Sequence, residues 1–300
     1  MSLSMSAASA QIPVKALSNS HPGAIVEPGV GVTDIGPHNL DALKAQLAEH
    51  GVLAFRGQNL TPAEMIAFAE QFGELENSTR QDYLLPNYEK IYVLSNVKDA
   101  NGRPIGNSDD GYQLHTDQYF FEHPTAYTLL YCLEAPPTGS DTIFCSTKTL
   151  YEEMSDEEKR KYSAMTIMAS HDKLNGGRHN TGAYADYPDI PQPVVRRHPL
   201  TGKDFLYFSA KLSARPAPGM TEQQVLDMID HLRDRAAAPG RVYAHKWQAG
   251  DLVIWDNRGL LHAATPFDKV NHRRICYRLS VKGERPLRGG LDRVQGSAAE

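Results

Sequence analysis

Short strand-type runs, each closed by glycine, proline or a polar turn, dominate the chain and do most to limit what it can fold into. They fall at 91–96, 127–134, 142–146, 165–171, 204–209, 242–247, 252–255 and 274–282. A further apolar run between Gly51 and Gly57 reads as a buried strand. Four segments carry helix signals instead. Leu40, Leu43 and Leu47 recur at helical spacing over 38–50. Thr61-Pro62-Ala63-Glu64 is a capping box with proline at the first helical position, opening a helix that Gly73 ends after Phe72. Ser155 with Glu158, and Thr221 with Gln224, are capping boxes for helices over 156–164 and 222–237. The pattern predicts a mainly β fold with flanking helices, a jelly roll or sandwich. One such domain can fill 21–300, with residues 1–20 expected as a disordered N-terminus. The stretch 172–193, rich in Gly, Asn, Asp, Pro and Tyr, is expected to be a long loop that acts as a lid.

Charge and cysteine usage narrow the partners. Net charge is -5, with acidic and basic residues interleaved and no basic run, so nucleic acid is not an expected partner. No apolar stretch approaches a membrane span, and the start, MSLSMSAASAQ, lacks the charged and apolar regions of a signal peptide. Cys132, Cys145 and Cys276 are few, odd in number and form no CxxC pair, which fits a reducing cytoplasm. A small-molecule substrate is the expected partner; a homo-oligomer is left open.

Chemistry is suggested first by His115-Thr116-Asp117. In a strand, residues two apart share a face, so His115 and Asp117 can reach one metal. Far downstream, Trp255-Asp256-Asn257-Arg258 leads to His262. Two histidines and one carboxylate make a facial triad, which suits iron(II) because it leaves three positions open. Against this stands the plain reading that a lone HxD binds nothing. Among twelve histidines, His123, His171, His179, His198, His231, His245 and His272 read as surface or structural residues, and Asp256 and Asn257 fit a turn. Arg274 and Arg278 flank Cys276 on one face of a late strand, opposite Ile275, Tyr277, Leu279 and Val281. Two arginines there suit a dianionic ligand, which guanidinium binds bidentately, or else a solvated outer face.

Jointly these segments resemble the taurine dioxygenase family, the TauD/TfdA type. LHTDQYFFEHP is similar to its first metal motif, and WDNRGLLHAATPFD followed by RRICYRLS to its second. Gly139-Ser140-Asp141-Thr142 matches a segment between them, with Thr142 27 positions after His115. The likeness runs from about residue 30 to 282. It implies a double-stranded β-helix core and iron held by His115, Asp117 and His262. It implies that Thr142 and Arg274 hold the distal carboxylate of 2-oxoglutarate, and that Arg278 faces the acidic group of the substrate. The loop after His262 is one residue longer than in taurine-type members, so the roles of the two arginines could be exchanged. Where those members carry histidines, this chain reads Glu76-Asn77-Ser78, which disfavours taurine itself.

The implied reaction uses Fe(II), 2-oxoglutarate and O2, releases succinate and carbon dioxide, and hydroxylates an unactivated carbon of a small anionic substrate. Related halogenases carry a small residue at the position of Asp117, so its carboxylate favours hydroxylation over chlorination. Asn96, Tyr112, Gln113 and Tyr119 lie beside the metal motif as candidate substrate contacts. Phe208, Lys211, Leu212 and Arg215 fall where family members line the pocket, with core or solvated roles as the alternative. Two rival classes use the same triad: a zinc hydrolase and a catalytically inactive metal-binding jelly roll.

Overall fold

The computed structural model describes residues 12–78, 81–108, 111–171 and 187–290, and only the backbone of Leu212. Among these residues one large sheet has the strand order β1 (Val14–Ala16), β2 (Ala24–Val26), β3 (Val52–Phe55), β14 (Leu252–Asp256), β6 (Thr125–Glu134), β16 (Ile275–Lys282), β5 (Tyr88–Ser95), β4 (Leu84–Leu85). A smaller sheet runs β13 (Val242–His245), β7 (Thr142–Ser146), β15 (Leu260–Ala264). Two further three-stranded sheets are β11 (Asp204–Leu206), β10 (Val195–Arg197), β17 (Leu287–Arg288), and β12 (Ala214–Pro216), β8 (Thr166–Ala169), β9 (Ile190–Pro193). Helices α1 (Pro37–His50), α2 (Pro62–Glu70), α3 (Thr147–Glu152), α4 (Asp156–Ser163) and α5 (Glu222–Ala236) flank them. The fold is mainly β with flanking helices around a jelly-roll core, as the sequence predicts.

Side-chain alternation builds the layers. Leu53 and Phe55 of β3, Leu129 of β6, Ile254 of β14 and Leu279 of β16 face Leu43 and Leu47 of α1 and Met65 and Phe68 of α2. The intervening Val52, Ala54, Leu130, Val253 and Cys276 point the other way, packing with Phe144 of β7, Tyr243 of β13 and Leu260 of β15. The central strands are therefore apolar on both faces, which is why 52–55 reads as an unbroken hydrophobic run. The three capping boxes form as expected, with Glu64, Glu158 and Gln224 amides donating to Thr61, Ser155 and Thr221 hydroxyls.

Two expectations shift, and one strand is not predicted. Residues 14–16, assigned to a disordered start, pair with β2, and Ile12 is buried in the core. The proposed lid at 172–193 lies mostly outside the described residues, and its end, Ile190–Pro193, is strand β9, paired with β8. Strand β15, which carries His262, has no clear strand signal because alanines and a histidine follow its two leucines; pairing with β7 makes it a strand.

Candidate metal centre

His115 and Asp117 do not lie on a common strand. His115 forms a single antiparallel bridge with His262: each backbone N–H donates to the other's carbonyl, at 3.0 and 2.8 Å. The metal-binding ends of two segments 147 positions apart are thereby stitched directly together. Asp117 then enters a turn in which Gln118 takes φ +49°, a left-handed conformation that non-glycine residues adopt at a cost. Tertiary hydrogen bonds, not strand geometry, aim the carboxylate. The Asp117 amide donates to Asn257 Oδ1 at 3.3 Å, and Thr116 Oγ1 donates to the Asn257 carbonyl at 2.8 Å. Thr128 Oγ1 donates to Asp117 Oδ2 at 2.6 Å and itself accepts from Asn257 Nδ2 at 2.8 Å. Asn257 and Thr128 thus orient the carboxylate, a role that sequence spacing could not reveal because Thr128 sits on β6.

The three side chains converge. His115 Nε2 lies 3.7 Å from Asp117 Oδ1, and His262 Nε2 lies 3.7 Å from Asp117 Oδ2. One ligand atom from each falls within 4.8 Å of the others. These separations exceed hydrogen bonds and suit three donors around one ion. His115 Nδ1 is 2.7 Å from the Gln113 carbonyl, which accepts its N–H and leaves the Nε2 lone pair turned inward. Burial pushes the His262 pKa down to about 3, outweighing the pull of Asp117, so the ring is neutral and able to ligate at ordinary pH. For Asp117, burial raises the pKa, but His262, His115 and Arg278 together hold it well below the usual carboxylate range. The residues present fit a divalent metal: two imidazole nitrogens and an ionised carboxylate, converging from three side chains.

Arg278 stands next to this set, its Nη1 3.8 Å from Asp117 Oδ1 and its guanidinium over the Tyr92 ring at 5.0 Å. Its Nε is buried with no hydrogen-bond partner among the described residues. Burial pushes the Glu76 carboxyl up to about 7, aided by the charge of Asp117 and opposed by Thr125 and Arg278. Arg274 is buried at the entry to β16, and its amide donates to Asn96 Oδ1 at 2.9 Å. Asn96 also donates to the carbonyls of Lys269 at 3.0 Å and His272 at 2.9 Å. The Asn96 amide is committed to clamping the chain that leads into Arg274, which corrects its expected role as a substrate contact. Thr142 is buried on β7. Gly139, at φ +74°, lets the segment before Thr142 pass close to the loop after His262; a Cβ there would lie 2.5 Å from the Pro266 carbonyl oxygen.

The remaining candidates divide between surface and core. The Gln113 side chain is exposed, and Tyr112 is exposed with Lys269 over its ring. Tyr119 is buried against Tyr207, their rings 5.0 Å apart, and its hydroxyl has no hydrogen-bond partner among the described residues. Phe208 belongs to the core packed around α5. Lys211 is paired with Asp230, and Arg215 lies 3.6 Å from Asp189. The Leu212 side chain lies outside the described residues.

Comparison with known proteins agrees with this geometry. A family model described as taurine catabolism dioxygenase TauD, TfdA family matches residues 14–279. The chain is 28% identical over 264 residues to an alpha-ketoglutarate-dependent 2,4-dichlorophenoxyacetate dioxygenase of Burkholderia sp. (strain RASC), covering 84% of this chain and 88% of that one. It is 29% identical over 281 residues to pentalenolactone F synthase of Streptomyces arenae, covering 86% and 92%. Among solved structures, a taurine dioxygenase from Burkholderia xenovorans superposes with a TM-score of 0.76 at 26% identity, over 94% of each chain. The chain belongs to the TauD/TfdA family and is a 2-oxoglutarate-dependent dioxygenase that uses iron(II) and oxygen.

Proposed function

We propose that the chain hydroxylates an unactivated carbon of a small organic acid. His115, Asp117 and His262 hold the iron, Thr142 and Arg274 receive the distal carboxylate of 2-oxoglutarate, and Arg278 receives the acid group of the substrate. The observation that carries this reading is Arg278 Nη1, 3.8 Å from Asp117 and next to the three converging ligands. With 2-oxoglutarate and O2, the bound metal supplies the oxidising power, releasing succinate and carbon dioxide. The chain's residues position and exclude. Arg278, over the Tyr92 ring with Nε unused, offers a fork for a carboxylate or sulfonate. Asp117 occupies its position with a carboxylate, which supports hydroxylation over chlorination. The name of one relative, a 2,4-dichlorophenoxyacetate dioxygenase, supports an anionic substrate.

We read the chain from Ile12 onward as one domain acting on a small molecule, without nucleic-acid or membrane partners. Net charge is -5, and among the described residues no helix is long and apolar enough to cross a membrane. Three buried free thiols support a cytoplasmic setting. Zinc hydrolysis would leave Thr142, Arg274 and Arg278 without a role.

The test is a panel of aryloxyacetates, alkylsulfonates and their neutral amides, scoring succinate and hydroxylated product together. Arg278→Ala should raise KM for the acids by roughly a hundredfold, the loss of about 2–5 kcal/mol expected for a buried charge-assisted pair. Arg274→Ala should instead raise the apparent constant for 2-oxoglutarate. Exchange of the two effects would swap the assignments. Equal turnover of acids and amides would overturn the anionic-substrate reading, and no succinate with any compound would favour an inactive metal binder.

A further inference from the structure

One buried indole touches the 2-oxoglutarate end of the site without belonging to the ligand set. Trp247 Nε1 donates to Thr142 Oγ1 at 3.0 Å, and both side chains are buried. An indole N–H can only donate, so this bond fixes the Thr142 oxygen as acceptor. The hydroxyl proton of Thr142 is left over, and no acceptor for it is present among the described residues. A buried hydroxyl that already accepts one hydrogen bond and keeps its own proton free is arranged to donate to an anion.

The indole is itself held. Its ring packs edge-on against His245 at 4.5 Å, and His245, directly across from Thr142 in the β13–β7 pairing, is anchored on both sides. His245 Nε2 lies 3.1 Å from Asp251 Oδ2, which makes that nitrogen the donor, and Nδ1 accepts from the Tyr243 hydroxyl at 2.7 Å. Asp251 also accepts the Gln248 amide at 2.8 Å, fixing the turn that follows Trp247. The position of the indole N–H is therefore determined by a chain of buried bonds and not by packing alone.

We propose that Trp247 is a positioning residue for 2-oxoglutarate: it sets the Thr142 hydroxyl as a donor toward the distal carboxylate. This rests on the reading that Thr142 meets that carboxylate. Asn96 plays a parallel part for Arg274, holding the chain that delivers the guanidinium.

The experiment is calorimetric titration of the Fe(II)-loaded protein under nitrogen, with 2-oxoglutarate and with pyruvate, which lacks the distal carboxylate. The variants are Trp247→Phe, Thr142→Val, Thr142→Ser and the Trp247→Phe/Thr142→Val double variant, each checked for its melting transition. Trp247→Phe should weaken 2-oxoglutarate by about three- to tenfold, the range of one neutral hydrogen bond, and leave pyruvate unchanged. In the Thr142→Val background the same change should have no further effect, because the two act through one hydroxyl. Thr142→Ser keeps the hydroxyl and should stay near wild type. Equal weakening of both ligands, or additive losses in the double variant, would mean that Trp247 acts by packing and would overturn the inference. Should Thr142→Val bind 2-oxoglutarate normally, the carboxylate assignment itself fails.

Discussion

Two buried polar clusters leave the same segment of chain in opposite directions. Along 255–262, Asn257 and His262 serve the metal centre, while Asp256 and Arg258 join a second cluster with His198, Arg196 and Glu284. The residue types overlap, yet the chemistry differs. In the second cluster every charge meets its opposite. His198 Nε2 lies 3.0 Å from Asp256, Arg258 Nη1 lies 3.0 Å from the same carboxylate, and Arg258 clasps Glu284 at 3.1 and 3.2 Å. His198 Nδ1 accepts the Thr201 amide, so both ring nitrogens are occupied. At the metal centre the histidines stop 3.7 Å short of the carboxylate, and lone pairs face one another across a gap. A His–Asp contact at hydrogen-bond distance is a finished structural bond; two histidines held just beyond it make a receptor for a cation. The acids follow suit. Burial raises the pKa of Glu284, but Arg258 and Arg196 bring it below the ordinary value, whereas burial leaves Glu76 near the metal at about 7.

Removing one histidine from each cluster gives the largest contrast. His262→Ala should abolish iron(II) binding and turnover, a loss above a thousandfold on the scale of a missing first ligand. His198→Ala should keep iron stoichiometry and turnover. Metal analysis after anaerobic loading separates them, and full activity in His262→Ala would sink the triad.

Next in size is Arg258→Met, which strips the second cluster of its shared cation. We expect about 3–5 kcal/mol of lost stability in urea unfolding, toward the low end because Glu284 keeps some solvent contact. Iron affinity of the folded protein should not change. A coupled loss of metal affinity would show that the two clusters are one unit.

The Glu76 carboxyl sharpens the comparison through pH. Its folded pKa of about 7 lies above its ordinary 4.5, so the folded protein holds a proton that the unfolded chain releases. Stability should therefore fall as pH rises from about 4.5 to 7 and level off above, by a contribution of order 3 kcal/mol. Glu76→Gln should flatten that decline. An unchanged slope would remove Glu76 as its source.

Smallest is Thr128→Val, which removes the 2.6 Å hydrogen bond to Asp117 and keeps side-chain volume. Iron(II) affinity should drop about tenfold to a hundredfold, the usual effect of a lost supporting contact to a metal ligand. Competition against a coloured chelator measures it.

Much of this was legible in the residues. Capping boxes set the starts of α2, α4 and α5 because the hydroxyl and the side chain three positions on satisfy each other locally. Alternation placed Arg278 and Cys276 opposite Leu279 and Val281 on β16, as the two core layers bear out. Strand β15 escaped notice, since Leu260–Ala264 becomes a strand only through its partner β7. The clamping role of Asn96 is not legible in the sequence, because its proximity to the motif says nothing of the loop carbonyls that claim its amide.

The sequence alone determined the ligand types, the β-rich layering and the family, because these depend on residue chemistry and on periodicities that repeat along the chain. Only the tertiary structure decided that His115 meets His262 through a backbone bridge and that Asp117 is aimed by Thr128 and Asn257. It alone separated the open His–Asp–His set from the closed His198–Asp256–Arg258 cluster. The reason is physical: whether an imidazole and a carboxylate stand at 3.0 or 3.7 Å is fixed by long-range pairing and burial, which no local pattern encodes.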